Sequence, residues 1–309
     1  MTPTNKQKLV IITGPTASGK SFLGVKLAKK YDGYVISADS RQIYKGMDVG
    51  TGKITKEEID NVRHFMLDFV KPDEEFTVGQ FKKEAEKIIS SKKRLPFLVG
   101  GTGLYIDAVC KNLTIPKIKP NNELRSELEN KSFEELHKQL ETLDPEIIKT
   151  IDLKNKRRLI RALEICLESG RPYSEQRKQG KPKYDLLEIG LDISKEELYN
   201  RIDKRIDEMI EVGNVNENNK TNTDLIMETK QLLDENYSLM LPSMSGIGYK
   251  EIAEYLQGAI DLDEAKIRMS TRTKQYAKRQ MTWFKRNKNI HWVGDLSEAD
   301  NLVEKFLAN

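Results

Sequence analysis

Over the first third of the chain, short apolar runs alternate with segments whose apolar residues recur at helical spacing. The run "KLVIITG" (8–14) is β-branched and ends on glycine, which predicts a buried strand. Phe22, Val25, Leu27 and Ala28 then fit a helix over 21–30. "GYVISADS" (33–40) predicts a second strand ending on Asp39 and Ser40, and "HFMLDFV" (64–70) a third. An amphipathic segment over 76–90 predicts a helix that starts at Thr77. "RLPFLVGGTGLY" (94–105) reads as a fourth strand that breaks into a glycine-rich turn and another helix. This alternation predicts an α/β fold with a largely parallel sheet flanked by helices, and such folds carry their sites in the loops after the strands.

Beyond Pro116 the pattern becomes helix after helix, through "NNELRSELEN", "SFEELHKQLETL", "DPEIIKTI" and "NKRRLIRALEICLESG". Strand character returns at "LLEIGLDI" (186–193), and "IHWV" near the end is a possible last strand. The expected organisation is a catalytic core begun by 1–118, an all-helical insertion over 119–183, and the rest of the core over 184–309. The Asn-rich stretch 214–223 reads as a polar surface loop.

Composition narrows the partners more than the fold. The net charge is only +4, so no global field announces a polyanion, and any basic patch must be local. Two cysteines, Cys110 and Cys166, argue against a disulfide framework and fit a reducing, cytoplasmic setting. No apolar run approaches the roughly 18 residues that span a membrane. A monomer is the simplest expectation.

The most specific local signal is "GPTASGKS", which is Gly14, Pro15, Thr16, Ala17, Ser18, Gly19, Lys20 and Ser21. Between a strand and a helix, this spacing makes a phosphate loop whose backbone amides and helix N-terminus point at one anion. Lys20 would reach the outer phosphate, and Ser21 would ligate magnesium. Asp39, at the next strand end, is either a helix cap, a carboxylate standing behind magnesium-bound water, or a general base. Thr102 is a candidate cap for the helix that follows it, alone or alongside a catalytic role. Arg157, Arg158 and Arg161 open one helix of the insertion, among apolar Leu159 and Ile160. The stretch 266–289 is rich in Lys and Arg, lacks acidic residues and interleaves Tyr276, Trp283 and Phe284, a composition that suits a nucleic-acid backbone.

With "ISADSRQIYKGMDVGTGK", "GGTGLYIDAV", "GIGYKEI" and "YAKRQMTWFKR" in this order, the sequence resembles the bacterial tRNA dimethylallyltransferases (tRNA isopentenyltransferases) over nearly its whole length. The resemblance implies a P-loop NTPase-like fold in which the loop Gly14 to Ser21 holds dimethylallyl diphosphate rather than ATP. It implies transfer of the five-carbon group to the exocyclic amine of the adenosine 3′ of the anticodon. Asp39 would be the base, and Lys20 and magnesium would stabilise the leaving diphosphate. Thr102 would touch the adenosine. Asp39, Ser40, Arg41 and Gln42 would contact the tRNA anticodon stem-loop, as would Arg125 and the stretch Arg157, Arg158, Leu159, Ile160, Arg161.

The chain departs from that pattern in three places. Arg63-His64 stands where paired histidines are common, and Gly52 replaces the commoner alanine of "GTAK". After "RIDEMIEVG" the Asn-rich loop and "METKQLL" (227–233) occupy the place of a Glu-Val-x-x-Leu helix. The competing readings are a small-molecule P-loop kinase, an RNA-binding module with a relic loop, and an isopentenyltransferase acting on free adenine nucleotides.

Overall fold

A computed structural model describes residues 6–211 and 224–309; the Asn-rich stretch 214–223 lies outside them. The described residues fall into two compact units, one from Met1–Ile106 with Lys183–Asn309, the other Asp107–Pro182.

The first unit is built on six parallel strands: β1 (Gln7–Thr13), β2 (Tyr34–Ser37), β3 (His64–Phe65), β4 (Pro96–Gly100), β5 (Tyr184–Leu191) and β6 (His291–Val293), in the order β3-β2-β4-β1-β5-β6. β1 is central, with Ile11 opposite Leu98 of β4 on one side and Glu188 of β5 on the other. Leu9 to Ile12 are fully buried, as a strand covered by helices on both faces requires. Val10, Ile12, Phe97, Val99 and Ile189 pack with Leu23 and Leu27 of the helix Lys20–Lys30 and with Val303 of the helix Leu296–Ala308. A further apolar cluster joins Ile43 and Met47 to Ile202 and Ile206 of the helix Lys195–Ile210, Tyr249, and Met269 and Ala277 of the helix Leu262–Phe284.

The helix Val78–Ser91 is set by Thr77, whose hydroxyl accepts from the Gln80 amide while the Gln80 side chain accepts from the Thr77 amide. The third strand is shorter than "HFMLDFV" predicts. Met66 and Asp68 take left-handed φ of 67° and 48°, which ends the ladder after Phe65, and Val70 makes only an isolated bridge to Tyr44.

The second unit is helical. Leu128, Leu136, Leu140, Leu159 and Leu163 form its core, contributed by the helices Asn122–Glu129, Phe133–Leu143 and Lys156–Ser169. No described helix in either unit is long and apolar enough to cross a membrane.

Candidate active site

β1 ends in the loop Gly14 to Gly19, which makes its turn through left-handed Ala17 (φ 62°) and Gly19 (φ 92°). A Cβ on Gly14 would lie 2.7 Å from Ser18 Oγ, so any other residue there would have to displace that hydroxyl. The Ser18 hydroxyl is buried without a hydrogen-bond partner among the described residues, as is that of Thr13 just before the loop. No side chain caps the helix Lys20–Lys30, leaving its first amides to meet an anion. Lys20 Nζ donates to the Pro15 carbonyl at 3.1 Å. Burial lowers the Lys20 ammonium to about 8; nearby Asp39 opposes this and Arg205 adds to it.

Asp39 follows β2. Its Oδ1 accepts from the backbone amides of Arg41 (2.8 Å) and Gln42 (3.4 Å), while Oδ2 has no hydrogen bond among the described residues. The carboxylate is thus oriented by its own turn with one oxygen left to accept a proton. Thr102 follows β4. Its hydroxyl accepts from the Ser40 amide at 3.0 Å and donates to Ser40 Oγ at 3.3 Å. Only its backbone carbonyl serves the helix Gly103–Cys110, accepting from Tyr105 and Ile106. The Thr102 side chain therefore does not cap that helix.

Lys20, Ser21, Asp39 and Gln42 line a single pocket with Ser37, His64 and Gly100, and its apolar wall is Val35, Ile54, Leu67 and Val99. His64 Nδ1 is bonded to the Val62 carbonyl at 2.8 Å, and burial lowers its pKa, favouring the neutral ring. The strand-end residues singled out from the sequence therefore do converge.

Four further residues complete the frame. Gln280 accepts from the Thr16 amide at 2.8 Å and donates to the Gly101 carbonyl at 2.9 Å, tying the phosphate loop to the turn after β4. Tyr276, one turn earlier on the same helix, lies beside Thr102; burial and nearby Asp39 raise its phenol well above the ordinary value. Arg205 Nη2 donates to the Gly52 carbonyl at 2.9 Å, which also accepts from Gln42 Nε2 at 3.0 Å. Gly52 has φ 54°, and the Arg205 guanidinium occupies the place of a Cβ, so the glycine that replaces alanine here makes room for that arginine.

Glu228 is the fourth. It is buried and accepts from the amides of Asp48 (2.8 Å), Val49 (2.7 Å) and Gly50 (3.0 Å) and from the Tyr249 hydroxyl (2.8 Å), fixing the loop that leads to Gly52. The segment "METKQLL" is thus no loss of the expected helix. Leu225–Asp234 is helical, with Glu228 and Leu232 buried and Thr229 where a valine is usual. The signal was the spacing Glu228-Thr229-Lys230-Gln231-Leu232 itself.

The residues expected to face RNA divide. Arg157 and Arg158 are exposed, Arg158 with only a 3.8 Å contact to Asp152. Leu159 and Ile160 are 0% and 4% exposed in the core of the helical unit, so their side chains cannot be the contact expected of them. Arg125 and Arg161 both bind Glu164, whose side chain is fully buried. Arg41 is bonded through its guanidinium to the Pro242 and Ser243 carbonyls and the Ser245 hydroxyl.

On the long basic helix, Lys266, Arg268, Arg272 and Lys274 are paired with carboxylates. Lys278, Arg279, Lys285, Arg286 and Lys288 are exposed and have no ion pair among the described residues. Phe284 is buried and the Trp283 ring lies against Gly103, so these aromatics pack inside the fold.

A family model described as IPP transferase matches residues 42–287. The chain is 41% identical over 302 residues to the tRNA dimethylallyltransferase of Natranaerobius thermophilus, covering 94% of this chain and 87% of the relative. It is 40% identical over 310 residues to that of Acetivibrio thermocellus, covering 97% and 96%. Among solved structures, the full-length tRNA isopentenylpyrophosphate transferase of Bacillus halodurans superposes with a TM-score of 0.71 at 39% identity, covering 98% of this chain and 97% of that one. A eukaryotic dimethylallyltransferase acting on tRNA gives 0.77 at 28% identity, covering 97% and 77%.

Proposed function

The chain belongs to the IPP transferase family, and from that premise we propose that it transfers a dimethylallyl group from dimethylallyl diphosphate to the exocyclic amine of the adenosine just 3′ of the anticodon in tRNA. The observation that carries this reading is the mixed pocket, in which the phosphate grip of Lys20 and Ser21 and the Asp39 carboxylate share walls with Ile54, Leu67 and Val99. The grip alone would serve any phosphorylated substrate, and the apolar wall beside it gives a hydrocarbon chain a surface to lie on. An allylic diphosphate needs both.

In this reading the diphosphate sits on the loop amides, where Ser18 Oγ lacks a partner and Lys20 can meet the outer phosphate. The five-carbon chain lies along Ile54, Leu67 and Val99. The C–O bond breaks as diphosphate departs with the electron pair, and Lys20 stabilises the charge that develops. The adenine amine forms the new C–N bond and gives up a proton, which Asp39 Oδ2 is placed to take. Thr102, held by Ser40, stands on the side of the acceptor base.

The donor set also fits magnesium as the cofactor. Among the described residues no three His, Cys, Asp or Glu side chains gather as a metal site. Magnesium does not need one, since it keeps several waters and leans on substrate phosphates. Ser21 in the first helical turn would hold it, and when bound it neutralises charge on the leaving diphosphate. On the RNA side, the exposed cations from Lys278 to Lys288 and the pair Arg157 and Arg158 supply phosphate contacts. A tRNA acceptor would place the protein in the cytoplasm.

The test is to incubate the protein and magnesium with labelled dimethylallyl diphosphate and either unmodified tRNA or ATP. Label is expected in tRNA alone. Label in neither acceptor, with γ-phosphate transfer from ATP, overturns the proposal; label in the free nucleotide moves the activity to a different acceptor.

A further inference from the structure

Glu164 lies in the middle of the helix Lys156–Ser169 with its side chain 0% exposed, yet it is ringed by cations. Arg125 presents a two-pronged fork, Nε to Oε1 at 2.8 Å and Nη2 to Oε2 at 3.0 Å. Arg161 Nη1 donates to Oε2, and the Asn121 amide donates to Oε1 at 2.7 Å. Arg161 is held a second time, from Nη2 to the Ile118 carbonyl at 2.8 Å. Burial alone would raise the Glu164 carboxyl; the Arg125, Asn121 and Arg161 bonds outweigh it and keep the group below its ordinary value.

The two arginine side chains remain 37% and 34% exposed. Arg125 Nη1 and Arg161 Nε carry no hydrogen bond among the described residues. One buried carboxylate therefore holds two arginines side by side at the surface, each with its plane fixed and an N–H turned away from the carboxylate. Two unrestrained arginines would give up rotamer freedom on binding a phosphate, whereas these have already lost it on folding.

Resting on the tRNA-modifying reading above, we propose that Glu164 is a positioning residue for tRNA binding, which aligns Arg125 and Arg161 into a preformed clamp for the RNA phosphate backbone. It touches no RNA itself. Its role separates cleanly from simple charge, because the two effects have opposite signs. Glu164→Gln removes a negative charge from beneath a polyanion site, so electrostatics alone predicts tighter tRNA binding. Loss of the fork predicts weaker binding, because an amide cannot accept from all the donors that surround it.

The experiment measures tRNA affinity across a salt series for the wild type, Glu164→Gln and Arg125→Lys, with thermal melts of each. Arg125→Lys keeps the charge and loses the fork, so it carries the test if Glu164→Gln does not fold. Both variants are expected to bind tRNA roughly tenfold more weakly with little change in the slope of log K against log salt, since neither removes a cation. The loss should fall in KM for tRNA and not in KM for dimethylallyl diphosphate, a split that general destabilisation would not produce. Unchanged or tighter tRNA binding by the folded variants overturns the inference. A wild-type protein that binds no tRNA overturns instead the functional reading on which it rests.

Discussion

Gln280 holds Thr16 across 264 residues of sequence: its side-chain oxygen accepts the Thr16 amide at 2.8 Å while its amide group donates to the Gly101 carbonyl at 2.9 Å. Gln280 is only 5% exposed, so both partners depend on it. The phosphate loop and the turn that carries Thr102 are thus coupled through one residue of the basic helix.

Gln280→Ala would leave those two backbone groups without their partner, at a cost of about 1–3 kcal/mol. The variant should unfold at lower urea concentration and show a raised KM for the prenyl diphosphate, since the loop loses its brace. Gln280→Glu keeps the acceptor for Thr16 but sets a carboxylate oxygen against the Gly101 carbonyl, and should be destabilised too. Wild-type stability and KM in both variants would show that the bridge is dispensable.

Asp39 invites a gentler substitution than alanine. Asparagine keeps an Oδ1 acceptor for the Arg41 and Gln42 amides, so the turn survives while the basic oxygen is lost. Turnover should fall by about 10²–10⁴-fold, the usual range for loss of a general base. Affinity for tRNA should change little. The decisive measurement is single-turnover transfer beside equilibrium tRNA binding; a variant that transfers normally but binds poorly would remove Asp39 from the base role.

The sheet and the contiguous motifs were legible because each is a local pattern. The apolar run before Gly14 gives β1, and Thr77 with Gln80 gives a helix start. The length of β3 was hidden, because nothing in "HFMLDFV" marks Met66 and Asp68 as left-handed. Gln280 and Arg205 were hidden for another reason. Their partners Thr16, Gly101 and Gly52 lie more than a hundred residues away, and such pairs leave no spacing to read. Arg161 and Glu164 did leave one, three residues apart on a helix, but an acid inside a basic stretch reads as one more surface charge until its burial is known.

Thr229 shows a place where the sequence could be improved. It is fully buried beside Glu228, and its hydroxyl has no hydrogen-bond partner among the described residues. Valine has the same shape without the unpaired polar atom, so Thr229→Val should stabilise the protein by about 1 kcal/mol. Chemical denaturation reads this directly as a higher midpoint with an unchanged slope. A variant less stable than the wild type would mean that the hydroxyl has a partner.

The lowered pKa of Lys20 gives diphosphate binding a pH dependence whose sign follows from the geometry. In the free protein the ammonium titrates near 8, because burial disfavours its charge. A bound diphosphate favours that charge and raises the pKa of the complex. Below pH 8 the lysine is protonated both free and bound, so affinity is at its full value. As pH rises above 8, binding must first take up a proton, and affinity should fall by up to about tenfold per pH unit until the pKa of the complex is reached. Calorimetry of dimethylallyl diphosphate binding, an ester that lacks the last ionisation of free diphosphate, in two buffers of different ionisation enthalpy should register about one proton taken up at pH 9 and much less at pH 7. Lys20→Arg, charged throughout this range, should bind with a nearly flat profile from pH 7 to 9. An equally steep fall in that variant would assign the linkage to another group.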